Sequence, residues 1–305
     1  MERRRIGSLE VSVIGLGCNN FGWRLDADAT ARVVHAALDS GIDFFDTAEL
    51  YGEGLSEEYL GRALRGRRHS VIVATKFGYK TAPSHRRGHP DNVRRAADAS
   101  LERLGTDYID LFQLHSPDPT IPIADTLGAL NELVQQGKAR EIGCSNFSAA
   151  QLREAADAVK PGAARFLSVQ NEYSLMHREP EADVLQECAR LDMAFVPYYP
   201  LASGLLTGKY RRGRILPKGT RLAEGSHRLA DENLDAVEEL IHFAESRHHT
   251  LLELAVGWLL AHPVVASVIA GATKPEQALE NAAAAAAWRL SAEERAAVDA
   301  LAVYS

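Results

Sequence analysis

Four side chains with complementary acid–base chemistry stand at or just beyond successive apolar runs: Asp46 and Tyr51 in FDTAELYG, Lys76 after VIVAT, and His115 after YIDLFQL. A tyrosine phenol titrates at about pH 10, which makes it a weak acid for protonating a developing alkoxide near neutrality. A nearby lysine ammonium favours the phenolate and lowers that pKa, and a buried aspartate keeps the lysine charged and aimed. A histidine beside the reacting oxygen donates a hydrogen bond to it, as oxyanion stabiliser or proton-relay partner. None of these groups delivers a hydride. The set therefore implies a redox cofactor, and the amide-rich cluster Ser145, Asn146 and Gln170 suits a nicotinamide carboxamide.

Each residue alone has a plainer reading. Asp46 caps a turn, Tyr51-Gly52 forms one, Lys76 lies on the surface, and His115 is a hydrogen-bonded core histidine. Position favours the chemical reading. Eight short runs rich in Val, Ile, Phe and Tyr stand out: VIGLG (13–17), DFFD (43–46), VIVAT (71–75), YIDLFQL (108–114), REIGC (140–144), LSVQ (167–170), AFVPY (194–198) and VASVIA (265–270). Most are continuously apolar, as suits strands buried on both faces of a parallel sheet. Polar residues close nearly all of them: Asn19-Asn20, Asp46, Lys76, His115, Ser145-Asn146, Gln170-Asn171 and Tyr198, with Gly271 after the last.

The elements between the runs read as amphipathic helices. Thr30 caps one ending at Gly41, Asp91 opens one stopped at Gly105, and Ile123 to Val134 line one ended by Gly137. Ser148 and Gln151 have capping-box spacing, and further helices follow from Val184, Leu234 and Leu251, with the alanine tract 282–287 as another. Strand–helix units of roughly 30 residues, repeated eight times, are the mark of a (β/α)8 barrel, whose strand C-termini converge on one face. An open doubly wound sheet shares the alternation, but eight strands in this length favour the barrel. The expected fold is α/β: one (β/α)8 TIM barrel domain over residues 1–305, with an N-terminal hairpin around Gly7-Ser8 covering its bottom and extra C-terminal helices. The stretch from Leu201 to about Ala230 is too long for a simple connection and is expected to be functional.

Composition narrows the classes. The chain has 305 residues, 46% hydrophobic and 25% charged, with a net charge of −7. That supports a sizeable core and argues against nucleic acid or anionic membranes as non-specific partners. The basic opening MERRRIGSLEVSV lacks a signal peptide's apolar segment, and no apolar run reaches the ~18 residues of a membrane span. Cys18, Cys144 and Cys188 are scattered, with no CxxC. This fits a reducing cytoplasm and neither a disulfide scaffold nor a thiolate zinc site. No clustered His/Asp spacing supports a metal centre, so none is expected.

With those residues in view, the sequence resembles the aldo-keto reductase superfamily over nearly its whole length. FFDTAELYG, VIVATKFG, LFQLHSPD, IGCSNFS, VQNEYS, PYYPLASGLLTGKY and GATKPEQALEN resemble the family's blocks, in order. The resemblance implies that Tyr51 is the general acid/base, supported by Lys76 and Asp46, with His115 orienting the carbonyl. It implies that Asn20, Ser145, Asn146 and Gln170 serve the nicotinamide end and that Tyr198 stacks on its ring. Leu201, Ser203 and Leu206 would grip the pyrophosphate; Gly271, Thr273, Lys274, Gln277, Glu280 and Asn281 would take the adenosine end. Such proteins bind the cofactor without a Rossmann fold, in keeping with the missing GxGxxG. Tyr199 departs from the family's common serine, and Lys274, near Arg289, is the main cation for a 2′-phosphate, so NADP(H) is favoured over NAD(H).

The leading expectation is reversible NADP(H)-dependent reduction of an aldehyde or ketone. Alternatives are NAD-dependent oxidation of an aldose or polyol, and a cofactor-binding regulatory or channel-associated subunit. The substrate is expected to be a small carbonyl compound or sugar, in a pocket walled by Phe21, Trp23, Phe77, Tyr79 and Tyr199.

Overall fold

The protein is described from a computed structural model covering residues 1–79, 86–217, 219–222 and 226–301. The chain opens with an antiparallel hairpin, β1 (Arg3–Ile6) and β2 (Leu9–Ser12), turned by Gly7 at φ 58°. The first barrel half runs β3 (Ile14–Gly17), α1 (Ala27–Asp39), β4 (Phe44–Asp46), α2 (Leu55–Ala63), β5 (Ile72–Phe77), α3 (Pro90–Leu104), β6 (Ile109–Leu114) and α4 (Ile123–Gln135). The second continues with β7 (Ala139–Ser145), α5 (Ala149–Asp157), β8 (Phe166–Gln170), α6 (Val184–Leu191), β9 (Ala194–Phe195), α7 (Asp231–Glu245), α8 (Leu251–Leu260), β10 (Val268–Gly271), α9 (Pro275–Ala287) and α10 (Ala292–Leu301).

Strands β3 to β10 form one parallel sheet in the order β10-β3-β4-β5-β6-β7-β8-β9. Closure, which alternation alone left open, comes from hydrogen bonds across the last seam. Phe195 N–H donates to Val264 O at 2.7 Å, Ala266 N–H to Phe195 O at 3.0 Å, and Ile269 N–H to Pro197 O at 3.3 Å. The expected (β/α)8 barrel is the observed fold. AFVPY gives only a two-residue strand because Pro197 has no N–H for a ladder, yet Val196 and Tyr198 still donate to Val169 O and Asn171 O.

Strand parity divides the interior into two storeys. Phe44, Ala74, Leu111, Val196 and Ile269 point inward low in the barrel, where Ile6, Leu9 and Val11 of the hairpin plug it. Side chains two residues further on share the same face of a strand. Asp46, Lys76, Gln113, Tyr198 and Gly271 therefore follow directly above that apolar layer. The residues of opposite parity, Phe45, Val73 and Phe112 among them, pack outward under the helices.

Several local expectations are corrected. Asp26, not Thr30, caps α1, its carboxylate accepting from Ala29 N–H at 2.8 Å, and Thr30 is buried inside the helix. Helix α3 starts at Pro90 with His89 as its cap, so Asp91 lies within the first turn. The capping box at Ser148 and Gln151 is present, and a second, at Thr250 and Glu253, opens α8. Helix α2 was not read from the sequence. Gly61 interrupts its apolar pattern because it packs on Leu104, where a Cβ would lie 2.2 Å from the carbonyl oxygen.

Candidate active site

Asp46 at the end of β4 and Lys76 near the end of β5 meet inside the barrel mouth, with Lys76 Nζ 2.6 Å from Asp46 Oδ2 and 2.9 Å from Thr47 O. Both side chains are almost fully removed from solvent. The other carboxylate oxygen accepts from Gln170 Nε2 at 2.9 Å and Gln113 Nε2 at 3.4 Å. A buried ion pair is stabilising only when its remaining lone pairs and protons are satisfied, and these amides and the Thr47 carbonyl meet that requirement.

Tyr51 comes from the loop after β4, in a short 3-10 turn spanning Tyr51–Gly54. That turn is pressed against the loop after β3: a Cβ on Gly52, at φ 57°, would lie 2.8 Å from Phe21 O and 2.9 Å from Gly22 Cα. Ser56 Oγ, donating to Cys18 O at 2.9 Å and in contact with Thr47 Oγ1 at 2.8 Å, ties the same two loops. The Lys76 ammonium lies 5.1 Å from the centre of the Tyr51 ring. His115, one residue past β6, is fixed by its N–H donating to Phe77 O at 2.8 Å, and its ring meets that of Tyr51 edge-on at 6.1 Å.

Electrostatics refine the expected chemistry. Burial pushes the Tyr51 phenol above its ordinary range; Lys76, by charge and hydrogen bonding, pulls it back without overcoming burial, and Asp46 adds to the rise. The net direction is the reverse of the expected lowering, so the phenol rests neutral with its proton in place. Burial alone lowers Lys76, but Asp46 and then Tyr51 outweigh it and hold the ammonium charged. Burial, then the charge of Lys76, lowers His115 well below the usual imidazole range, leaving it neutral. Among the described residues its buried Nδ1 has no hydrogen-bond partner. A neutral phenol beside a locked ammonium, with a neutral imidazole at its edge, is an arrangement that can hand a proton to an oxygen and take it back.

The amides form a chain beside this centre. Ser145 Oγ donates to Gln170 O at 2.7 Å, and Asn146, at φ 62°, donates through Nδ2 to His115 O at 2.9 Å. The Tyr198 hydroxyl donates to Asn146 Oδ1 at 2.9 Å, and burial raises its pKa to about 12. Gln113, which the sequence reading missed, carries a legible signal: it is a polar residue inside a wholly buried strand, two positions above the inward Leu111.

A single cleft of about 1030 Å³ joins these groups to a second region at the end of β10 and the start of α9. Asn20, Ser145, Asn146, Gln170, Tyr198, Leu201, Ser203, Gly271, Thr273, Lys274, Gln277, Glu280 and Asn281 all line it, as do Tyr79 and Tyr199. Asn20 Nδ2 donates to Ala272 O at 3.3 Å, tying the first and last strand ends, and Thr273 N–H donates to Gln277 Oε1 at 2.8 Å. The backbone from Tyr199 to Gly204 turns through positive φ at Tyr199, Ala202, Ser203 and Gly204, beside Lys209. Lys209 and Arg221 also line the cleft and were not singled out in the sequence. Lys209 and Arg221 in the stretch after β9 and Lys274 after β10, amides and an aromatic ring beside the catalytic centre, and a cleft of this size suit a dinucleotide: its phosphates, carboxamide and flat ring each find matching chemistry.

Five expected contacts fall elsewhere. Phe77 has outward parity, is fully buried and stacks on Phe112 at 4.7 Å, so it does not wall the cleft. Leu206 is buried in the outer core within the 3-10 turn Ala202–Thr207, and Phe21 is likewise core. Trp23 is 64% exposed and lies under Arg24 outside the cleft lining. Arg289 pairs with Glu2 at 2.6 Å beside the hairpin and is not available to the cleft. Among the described residues, no cluster of His, Cys, Asp or Glu is placed to hold a metal, and no helix is long and apolar enough to cross a membrane.

The sequence profile of the Aldo/keto reductase family matches residues 13–303. The chain is 38% identical to an aldo-keto reductase of Strobilurus tenacellus, covering 98% of this chain and 91% of that one. It is 35% identical to a protein of Oryza sativa subsp. japonica named as a probable voltage-gated potassium channel subunit beta, over 92% and 90% of the two chains. An aldo-keto reductase of Schizosaccharomyces pombe named for NADP(+) is 36% identical over 85% of this chain and 79% of its own. Among solved structures, a glycerol dehydrogenase from Gluconobacter oxydans superposes with a TM-score of 0.85 at 32% identity, covering 98% and 94%.

Proposed function

The chain belongs to the aldo/keto reductase family and is an oxidoreductase of that kind, and from that premise we propose that it reversibly reduces an aldehyde or ketone with NADP(H), using Tyr51 as the proton donor. The observation that carries this reading is the buried Lys76–Asp46 pair at 2.6 Å beneath Tyr51, at the inner end of a cleft sized for a dinucleotide. The bound nicotinamide would supply the hydride in reduction and accept it in the reverse direction. Ser145, Asn146 and Gln170 would hold its carboxamide, Tyr198 would stack on its ring, and Ser203, Lys209, Thr273 and Lys274 would serve its phosphates.

The protein's own part is proton management. Burial keeps Tyr51 protonated until an oxygen beside it gains negative charge. As that proton leaves, the Lys76 ammonium stabilises the nascent phenolate, and Asp46 keeps the ammonium from sharing its own proton. His115, neutral, orients the substrate oxygen by a hydrogen bond. The residues act within one domain spanning 1–305.

NADP(H) is preferred on the presence of Lys274 in the cleft and the name of the S. pombe relative. The second reading, NAD-linked oxidation of a polyol, draws on the glycerol dehydrogenase likeness. Incubating the purified protein with NADPH or NADH and a panel of aldehydes, ketones and sugars tests both. The reading predicts carbonyl-dependent consumption of NADPH. Faster turnover of glycerol with NAD+ would favour the second, and no turnover with tight cofactor binding would favour the regulatory role suggested by the rice relative.

A further inference from the structure

Arg87 lines the same cleft as Tyr51, Tyr79 and His115, and neither the sequence motifs nor the proton chemistry gives it a task. It is firmly placed. Its carbonyl accepts from Asn92 Nδ2 at 2.8 Å, and its Cβ lies 3.2 Å from where a Cβ on Gly78 would stand. One guanidinium nitrogen donates to Pro117 O at 2.9 Å. Pro117 is two residues after His115, which puts their Cα atoms within about 8 Å of each other. The charge therefore sits close to the carbonyl-binding end, well away from the α9 end of the cleft.

Among the described residues that charge is closed by no ion pair, and the Arg87 Nε is buried with no hydrogen-bond partner. Asp118, on the adjoining loop, feels the Arg87 charge, which, against burial and after the hydrogen bonds from Thr120 and Gly88, helps hold its carboxyl below the usual range. It makes no ion pair with Arg87; its oxygens are taken by the Gly88 N–H at 3.0 Å and by the Thr120 N–H and hydroxyl at 3.1 and 2.7 Å. Of the acids lining the cleft, Asp46 is neutralised by Lys76, and Glu280 belongs to α9. Arg24, stacked on Trp23 in the loop after β3, adds a second cation to the cleft lining. A half-buried guanidinium with unfilled donors is costly unless an anion arrives to fill them, and its planar fork matches carboxylate and phosphate oxygens.

We propose that the substrates of this cleft are carbonyl compounds bearing an oxyanion, carboxylate or phosphate, a few bonds from the carbonyl, with Arg87 as the residue that selects them. The inference rests on the carbonyl-reductase reading above and names its substrate class. Arg87 is a specificity residue: it acts on the remote anion and leaves the Tyr51 proton untouched.

The test compares matched pairs with NADPH: succinic semialdehyde against its methyl ester, and glyceraldehyde phosphate against glyceraldehyde. The first pair reads a carboxylate preference and the second a phosphate preference. In at least one pair the anionic member should have the higher kcat/KM by roughly 10- to 100-fold, mainly through KM, the range of a charge-assisted hydrogen bond. Arg87→Gln should erase that preference while leaving the neutral member's kcat/KM unchanged, and Arg87→Lys should restore part of it. Equal turnover of charged and neutral members by the native protein would overturn the inference and leave the reductase reading standing; this comparison needs no variant to fold. A preference that survives in folded Arg87→Gln would also overturn it. Failure of every compound, charged or neutral, to consume NADPH would instead remove the reductase reading itself.

Discussion

At the scale of single residues, Tyr51 is held between two opposed influences: burial raises its pKa and Lys76 lowers it, with burial ahead. Reduction should therefore run at a level rate from about pH 6 to about pH 9 and fall only as the phenol ionises at still higher pH. His115, lowered well below the usual imidazole range, adds no break near pH 6.5. A kcat/KM profile with an inflection at about pH 6.5 would show that the imidazole is not the neutral group described. Lys76→Met leaves Asp46 charged and unpaired in the barrel, so it should cost about 3–5 kcal/mol in urea unfolding as well as turnover. The quartet was legible because each member ends or follows a strand-like run. The net direction of the Tyr51 shift was not, because it depends on how deeply the phenol is enclosed, which no spacing records. Gln113 was overlooked for want of counting by twos from Leu111.

At the scale of elements, the loop after β4 works because two glycines let it press against the loop after β3. Gly52→Ala would place a methyl group within 2.9 Å of backbone atoms of Phe21 and Gly22 at a positive φ. It should destabilise the fold by about 1–3 kcal/mol and, by shifting Tyr51, lower kcat more than it changes cofactor affinity. Equal kcat in a folded Gly52→Ala protein would show that the close approach does not position the phenol. Strand parity explains why Phe77 does not wall the cleft. Phe77 follows Lys76 by one residue and so faces outward onto Phe112, whereas Tyr79 reaches the cleft, its ring 4.7 Å from that of His115. Helix starts were legible where a capping box stood, at Ser148, and misread at Thr30, where an acid four residues earlier does the capping. Hairpin β1–β2 plugs the barrel bottom, so Ile6→Ala should cost about 2–5 kcal/mol without altering KM.

At the scale of the molecule, the barrel's last turn is tied down by a buried polar network outside the cleft. The Tyr173 hydroxyl donates its single proton to Glu181 Oε1 at 2.8 Å, so His262 Nε2, also at 2.8 Å, must be the donor to that hydroxyl. Trp258 on α8 donates to Asp299 on α10 at 2.8 Å within the same group. Burial first, and then Arg295, lowers His262 from its ordinary 6.5 to about 4. The unfolded chain takes up this proton below about pH 6.5 and the folded chain not until about pH 4, so stability is complete above the first value and declines between the two. Thermal or urea midpoints should fall over that interval, by at most about 3–4 kcal/mol for this group, and His262→Gln should flatten the slope. A slope unchanged in that variant would assign the loss to other groups. The barrel itself was legible from eight runs and their spacing, but its closure rests on three hydrogen bonds between loop-like segments around Phe195 and Pro197 that carry no sequence pattern. The central claim is that strand ends brought together by that closure make Tyr51 the proton donor beside a bound nicotinamide. It is tested most directly by measuring turnover and NADPH affinity together in Tyr51→Phe. The account predicts turnover reduced by about 10²- to 10⁴-fold with cofactor affinity unchanged; native-like turnover in that variant would contradict it.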